Sequence, residues 1–328
     1  MGRICLSYLR EPERDRWIPG DRFIRPIVRR LLRGRPRPSG LDKVVINLCL
    51  GLDRLGMAYE LNMPYSRLRP DDMPAVLGRG RQCLSSYKTK QPLVAGIGLM
   101  THPSEWPTLF NDYPVVSYLQ HSEWAADVYR RYFGPDRCDV WPVGIDTEQW
   151  LPSSPASSRP FDFLIYEKIR WDRAHHDQTL VAPISALLAR LGFSSTTLHY
   201  GFYEPADFHA ALAASKAMIF LSCHESQGIA SGEALACDVP VFAWDPGRCL
   251  DPERSAWNDV DFPTTSVPYF DERCGARFAD FGEFEAKLPI FVDSVRRGAF
   301  APRDYIMDNL TVEKCSSHFV EILRRRLG

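Results

Sequence analysis

Two rhythms of apolar residues run along this chain: a helical spacing in a few segments, and short continuous runs bounded by turn residues. Arg3 to Leu9 is such a run and predicts the opening strand of a buried sheet. From Asp21 to Pro38, Phe23, Ile24, Ile27, Val28, Leu31 and Leu32 recur at helical spacing. Arg22, Arg25, Arg29, Arg30 and Arg33 fill the other side, and Pro26 falls near the start, where a helix tolerates it. Ser39 to Asn62 carries a second stripe, Leu41, Val44, Val45, Leu48, Leu52 and Leu55; Gly56 stops it and Met57 to Leu61 predicts a strand. Pro92 to Met100 and Pro114 to Leu119 read as buried strands, Ser122 to Gly134 as a helix, and Cys138 to Trp150 as a strand ending in a turn at Gly144.

The pattern then breaks. Leu151 to Pro160 holds three prolines and four serines in ten residues, which marks a linker between domains. Beyond it strands and helices alternate regularly: strand Phe161–Tyr166, helix Gln178–Leu191, strand Thr196–Tyr200, helix Pro205–Ala214, strand Ala217–Cys223, helix Ala230–Cys237 and strand Val239–Trp244. Ala276 to Ala279 is a candidate last strand, and helices over about Glu283–Arg297 and Thr311–Arg326 close the chain. Such alternation is the signature of a parallel α/β sheet.

Composition narrows the class without naming a function. A chain of 328 residues, 45% of them apolar, suffices for two domains with real cores. Its net charge of −1 makes no overall electrostatic claim on nucleic acid, and the arginine-rich segment lacks interleaved aromatics. Nine cysteines with no C-x-x-C pair point to reduced thiols and a cytoplasmic setting. The opening MGRICLSYLREPERD turns charged by Arg10 and does not read as a signal peptide, and no apolar run reaches the roughly 20 residues that span a bilayer. A soluble protein is the expectation. The basic helix over residues 22–33 has two readings, a peripheral contact at the inner face of a membrane or a surface helix with solvated arginines.

The candidate chemistry gathers in Ala217 to Asp245, AMIFLSCHESQGIASGEALACDVPVFAWD. A loop over His224 to Gly228 turns into a helix, and a helix N-terminus seats phosphate with unpaired N–H groups and a partial positive charge. Glu225 stands ahead of that seat and Glu233 inside the helix, with seven residues between them. Carboxylates on both sides of a phosphate seat suit a ligand carrying a diphosphate and hydroxyl groups, as a nucleotide sugar does. Gly96 and Gly98 do not complete a dinucleotide fingerprint, because no G-x-G-x-x-G runs on into a helix. His175-His176-Asp177 has no partner at metal-ligand spacing, so no metal site is expected.

E-x7-E followed by A-L-A-C-D-V-P-V resembles the C-terminal motif of retaining glycosyltransferases of the GT-B fold, family 4 in particular. The resemblance implies two Rossmann-like domains facing a central cleft: residues 1–150 on the acceptor side, 151–310 binding the nucleotide sugar, and a last helix, 311–328, packing back on the first domain. It implies that Glu225 lies against the donor sugar with the amides of Gly228 and Ile229, and that Glu233 holds the ribose. Ser39-Gly40 stands where the family carries a glycine-rich turn near the donor phosphates, which makes Gly40 a donor-binding candidate. Lys168 stands near the family's Arg and Arg173 near its Lys, both for the diphosphate, with Arg170 as a rival and Glu167 where Gly is usual. Val143 replaces the usual Asn of the turn at Gly144. His102 and His121, each at a strand's end, are the candidates for the first-domain histidine that meets the donor sugar.

The implied activity is transfer of a sugar from a nucleotide diphosphate donor to a glycan, lipid-linked or small-molecule acceptor, with retention of configuration and no cofactor or metal. Two alternatives stay open. A sugar-nucleotide epimerase of the same fold would turn over the donor without acceptor, and a non-catalytic GT-B module would bind nucleotide without turnover.

Overall fold

The computed structural model describes residues 2–9, 15–33, 39–153, 155, 158–253 and 262–328, apart from the side chains of Pro26 and residues 29–33. Two compact units divide the chain: Met1–Leu119 with Tyr129–Asp139 and Phe319–Gly328, and Gln120–Val128 with Val140–His318.

The first unit is built on strands β1 (Ile4–Leu9), β2 (Tyr59–Leu61), β3 (Met73–Gly78), β4 (Leu93–Gly96), β5 (Val115–Gln120) and β6 (Cys138–Val140), in the order β2-β1-β3-β4-β5-β6. The ladders from β2 through β5 are parallel. Helices α1 (Asp21–Arg33), α2 (Gly40–Arg54), α3 (Leu109–Asp112) and α4 (Glu123–Phe133) lie between them in sequence, α4 belonging to the second unit up to Val128 and to the first from Tyr129. Ser39 caps α2 in a capping box with Asp42, and the stripe read from the sequence buries Val44, Val45, Leu48 and Leu52.

β3 did not announce itself, because Pro74 sits inside its apolar run and argues against a strand. Its entry is fixed by Asp72, which accepts from Arg3 Nη2 at 2.8 Å and from the Arg69 N–H at 2.8 Å. β4 is shorter than its apolar run. It ends at Gly96 because Ile97 and Gly98 take positive φ of 47° and 97°.

The second unit carries β7 (Phe161–Lys168), α5 (Arg173–His176), α6 (Ala182–Arg190), β8 (Ser195–His199), α7 (Pro205–Ala214), β9 (Ser215–Ser222), α8 (Ile229–Ala236), β10 (Val241–Trp244), β11 (Gly275–Phe278), α9 (Phe281–Arg296) and α10 (Pro302–Asn309); α11 (Val312–Leu327) belongs to it up to His318 and to the first unit from Phe319. All its ladders are parallel, in the order β11-β10-β9-β7-β8. A π-helical turn at Asp177–Val181 links α5 to α6. α10 lies where no helix was read.

The apolar runs of β7 and β9 are covered on both faces. Leu164, Tyr166, Met218 and Phe220 join one cluster with Phe208 and Leu235. Phe163, Ile165, Ile219 and Leu221 join another, where Phe242 stacks on Phe291 at 4.7 Å. Strands buried on both faces read as continuous hydrophobic runs, which is why these were legible.

The Pro- and Ser-rich segment before β7 has a fixed end. Arg159 is buried and donates to the carbonyls of Ser215 at 3.1 Å and of Cys237 and Asp238 at 3.5 Å. The chain therefore enters β7 anchored to β9 and to the turn after α8.

Candidate functional site

β8 flanks β7 on one side and β9 flanks it on the other, so the chain reverses direction across the sheet between them. In an open parallel sheet the crevice for ligands opens outside the carboxyl ends of strands at such a switch point. Here those ends are Glu167-Lys168 on β7 and Ser222 on β9. Both Glu167 and Lys168 are strand residues, a correction to the reading that placed them in the loop after Tyr166; they pair with Leu221 and Ser222 in register.

Lys168 and Glu225 meet directly, Nζ lying 2.6 Å from Oε1 and 2.8 Å from Oε2. Ser222 donates its hydroxyl to Glu225 Oε1 at 2.7 Å, the Glu225 N–H reaches the Thr265 carbonyl at 3.0 Å, and Trp124 Nε1 donates to the Glu225 carbonyl at 3.0 Å. Backbone and side chain of Glu225 are thus fixed by four residues. The lysine ammonium also lies 4.8 Å from the centre of the Tyr200 ring, in cation–π range.

Glu167, the strand neighbour of Lys168, is buried and meets two half-exposed partners, Arg173 Nη2 at Oε1 and His199 Nδ1 at 2.9 Å from Oε2. Glu167, at the carboxyl end of β7, thus ties that strand to Arg173 at the start of α5 and to His199 at the end of β8. Arg173 itself opens α5 and also faces Asp177 at 3.5 Å.

Gly228 makes the turn into α8. Its φ of +73° is a left-handed conformation, and a Cβ there would come within 2.8 Å of Ser231 Oγ. Its N-cap is Gly228, which has no side chain to cap the helix, and the first-turn N–H groups, that of Ile229 among them, have no acceptor within the helix itself. Glu233 follows one turn later and is buried.

The aromatic surround was not read from the sequence. His224 stacks on Trp171 at 5.2 Å and meets Trp124 edge-on at 5.7 Å, and Trp124 in turn stacks on Phe262 at 6.2 Å. Gln227 was missed too. Its side-chain amide accepts from the Val143 N–H at 2.8 Å and donates to the Val143 carbonyl at 3.1 Å, tying the Glu225 loop to the turn at Gly144. The only hint was its place between Glu225 and Gly228.

The two histidines differ. His121 is buried in the second unit, 3.1 Å from the Trp141 carbonyl through Nδ1. A carbonyl only accepts, so Nδ1 carries the proton and Nε2 keeps a lone pair, buried without a hydrogen-bond partner among the described residues. Burial pulls its pKa down to about 4, against a small upward pull from the Trp141 carbonyl, so the ring is neutral. Its backbone carbonyl accepts from the Tyr269 hydroxyl. His102 belongs to the first unit, is fully buried, and caps a short 3-10 turn by accepting the Ser104 N–H at 3.2 Å. Gly40 is the exposed first residue of α2, also in the first unit, with open space where a Cβ would stand. Among the described residues no group of three or more His, Cys, Asp or Glu is gathered as a metal ion would require.

No family model and no curated protein matches the sequence. Solved structures do. An α-glucosyltransferase in complex with UDP-glucose and DNA containing an abasic site superposes with a TM-score of 0.57 at 10% identity, over 98% of this chain and 99% of that one. WaaG, a glycosyltransferase involved in lipopolysaccharide biosynthesis, gives 0.50 at 10% identity over 98% and 99%. TarM of S. aureus, in a complex containing UDP, gives 0.55 at 11% identity over 85% of this chain, which spans 58% of TarM's length. At such identities the likeness concerns the fold, and it is the two-domain α/β architecture of GT-B glycosyltransferases.

Proposed function

We propose that this protein is a glycosyltransferase that moves a sugar from a nucleotide diphosphate donor to an acceptor hydroxyl with retention of configuration. The observation that carries this reading is the Lys168–Glu225 ion pair at the switch point of one sheet, Glu225 lying three residues ahead of Gly228, the N-cap of α8. In the proposed complex the N–H groups of Gly228 and Ile229 grip the donor where its diphosphate meets the sugar, with the Lys168 ammonium and Arg173 guanidinium on the diphosphate oxygens. These charges stabilise the negative charge that builds on the leaving nucleotide, the term such chemistry depends on most. Glu225 turns from Lys168 to the sugar hydroxyls, and Glu233 takes the ribose.

The acceptor then attacks on the face from which the diphosphate departs. The glycosidic C–O bond to phosphate breaks through an oxocarbenium-like state, the new C–O bond forms, and the acceptor proton passes to the leaving phosphate oxygen. Of the two histidines, His121 is our candidate for the sugar contact, since its Nε2 lone pair is unclaimed. We further propose that protein cations alone serve the diphosphate, so turnover survives chelation of divalent metals.

Thermal shift against UDP, GDP, ADP, TDP and CMP, with and without their sugars, tests the donor site, because a ligand of the folded state raises its melting temperature. One nucleoside diphosphate shifting the wild type but not Glu233→Ala is expected. No shift with any of them would refute the reading. Donor turnover without acceptor would mark an epimerase, and binding without turnover a module that only binds.

A further inference from the structure

We infer that α1 and the turn before it form a docking surface for an anionic lipid bilayer. This inference is independent of the donor reading. Six large apolar side chains of the segment are exposed: Trp17 (72%), Ile18 (62%), Phe23 (66%), Ile24 (57%), Ile27 (61%) and Val28 (44%). At 100° per residue, Phe23, Ile24, Ile27 and Val28 fall within an arc of about 140°, with Arg22 and Arg25 on the opposite side. The sequence continues with Leu31 and Leu32 and with Arg29, Arg30 and Arg33. An amphipathic helix ordinarily turns its apolar face to the core; this one leaves it in solvent.

The surface is built rather than frayed. Buried Asp21 accepts the N–H groups of Arg16 at 3.0 Å and Trp17 at 2.9 Å, which locks the turn carrying Trp17 and Ile18 against the start of α1. Arginines lie along its aromatic rings, Arg22 at 4.8 Å from Phe23, and Arg16 and Arg25 at 5.6 and 5.7 Å from Trp17. Aliphatic stems beside the apolar arc and charged heads at its margin are the arrangement an interface between hydrocarbon and headgroups selects.

Charge decides among occupants. Residues 16–38 contain eight arginines and one aspartate, with no lysine or glutamate, a net of +7 in a chain whose total is −1. A second copy would bring two arginine arcs together. A nucleic acid would answer the arginines and leave the apolar arc in water. An anionic bilayer answers both. With 13 residues the helix is about 20 Å long, too short for a hydrocarbon core of roughly 30 Å, so it lies in the interface plane. Among the described residues no helix is long and apolar enough to cross a membrane.

The test is co-sedimentation of the full chain with phosphatidylcholine vesicles, with and without phosphatidylglycerol. Binding to the anionic vesicles should exceed binding to neutral ones by at least about tenfold and fall as salt rises. The doubles Phe23→Asp/Ile27→Asp and Arg22→Glu/Arg29→Glu should each abolish it with melting temperatures at the wild-type value, and Trp17→Ala should weaken it. Failure to sediment with anionic vesicles, or sedimentation retained by both doubles, would overturn the inference. So would a dimer that Phe23→Asp dissociates, or an RNA oligonucleotide bound more tightly than the vesicles. The readout needs no nucleotide, so a protein that binds vesicles but no nucleoside diphosphate refutes only the donor reading.

Discussion

Lys168 Nζ and Glu225 Oε1 stand 2.6 Å apart across 57 residues of chain, at the ends of two strands that are neighbours only because the sheet reverses between them. This ion pair joins the two groups assigned to opposite ends of the donor, its phosphates and its sugar. In the proposed complex a bound diphosphate would compete with Glu225 for the ammonium and release the carboxylate toward the sugar. Lys168→Met should weaken binding of the cognate nucleoside diphosphate by tenfold or more, the order expected for losing a charge-assisted hydrogen bond of about 1.5–3 kcal/mol. Glu225→Gln should leave nucleoside diphosphate affinity within about threefold and reduce kcat by at least about a hundredfold. Titration calorimetry and steady-state kinetics separate the two; a Glu225→Gln enzyme with full turnover would remove the sugar role.

Gly228→Ala tests the phosphate seat. A non-glycine residue held in the left-handed region costs about 1–2 kcal/mol, and here the new methyl also displaces Ser231 Oγ from the Gly228 carbonyl, where it now donates at 2.7 Å. Denaturant unfolding should report that loss, and the donor melting-temperature shift should shrink with it.

Glu167→Gln asks whether a buried carboxylate positions Arg173. The amide keeps the shape but drops the charge that draws the guanidinium and His199 together. The donor KM should rise several-fold while kcat changes little, and Arg173→Ala should reproduce the effect without adding to it in the double variant. Additive losses would mean the two residues act separately.

His121 sets a pH dependence of stability. The unfolded chain takes up a proton near the ordinary histidine pKa of about 6.5, whereas the folded ring stays neutral until about 4. Unfolding therefore binds a proton between these values, and stability falls as pH drops from about 6.5 to 4, by at most about 3 kcal/mol from this group. His121→Asn should flatten that part of the profile relative to wild type in chemical denaturation at pH 4.5 and 7. An unchanged slope would place the proton elsewhere.

Legibility in the sequence followed locality. The β–α alternation from Phe161 on could be read because β7 and β9 are apolar on both faces, and the Glu225–Glu233 spacing because loop and helix are contiguous. β3 escaped because Pro74 mimics a break, and the end of β7 because charged Glu167 and Lys168 look like a loop although the strand continues through them. Gly40 could be placed at the start of a helix from Ser39 and Asp42 alone, but no local signal says what its backbone faces.

The sequence by itself determined the alternating strands and helices around β7 and β9 and the loop-to-helix turn at Gly228 with Glu225 ahead of it and Glu233 inside it, since these depend on residues a few positions apart. Tertiary structure alone decided that Lys168 pairs with Glu225, that Glu167 commands Arg173 and His199, that Gln227 grips Val143, and that the apolar arc of α1 faces outward. Periodicity tells a helix that it has two faces. Only the packing of distant strands and helices decides which face is covered and which distant side chains share a site.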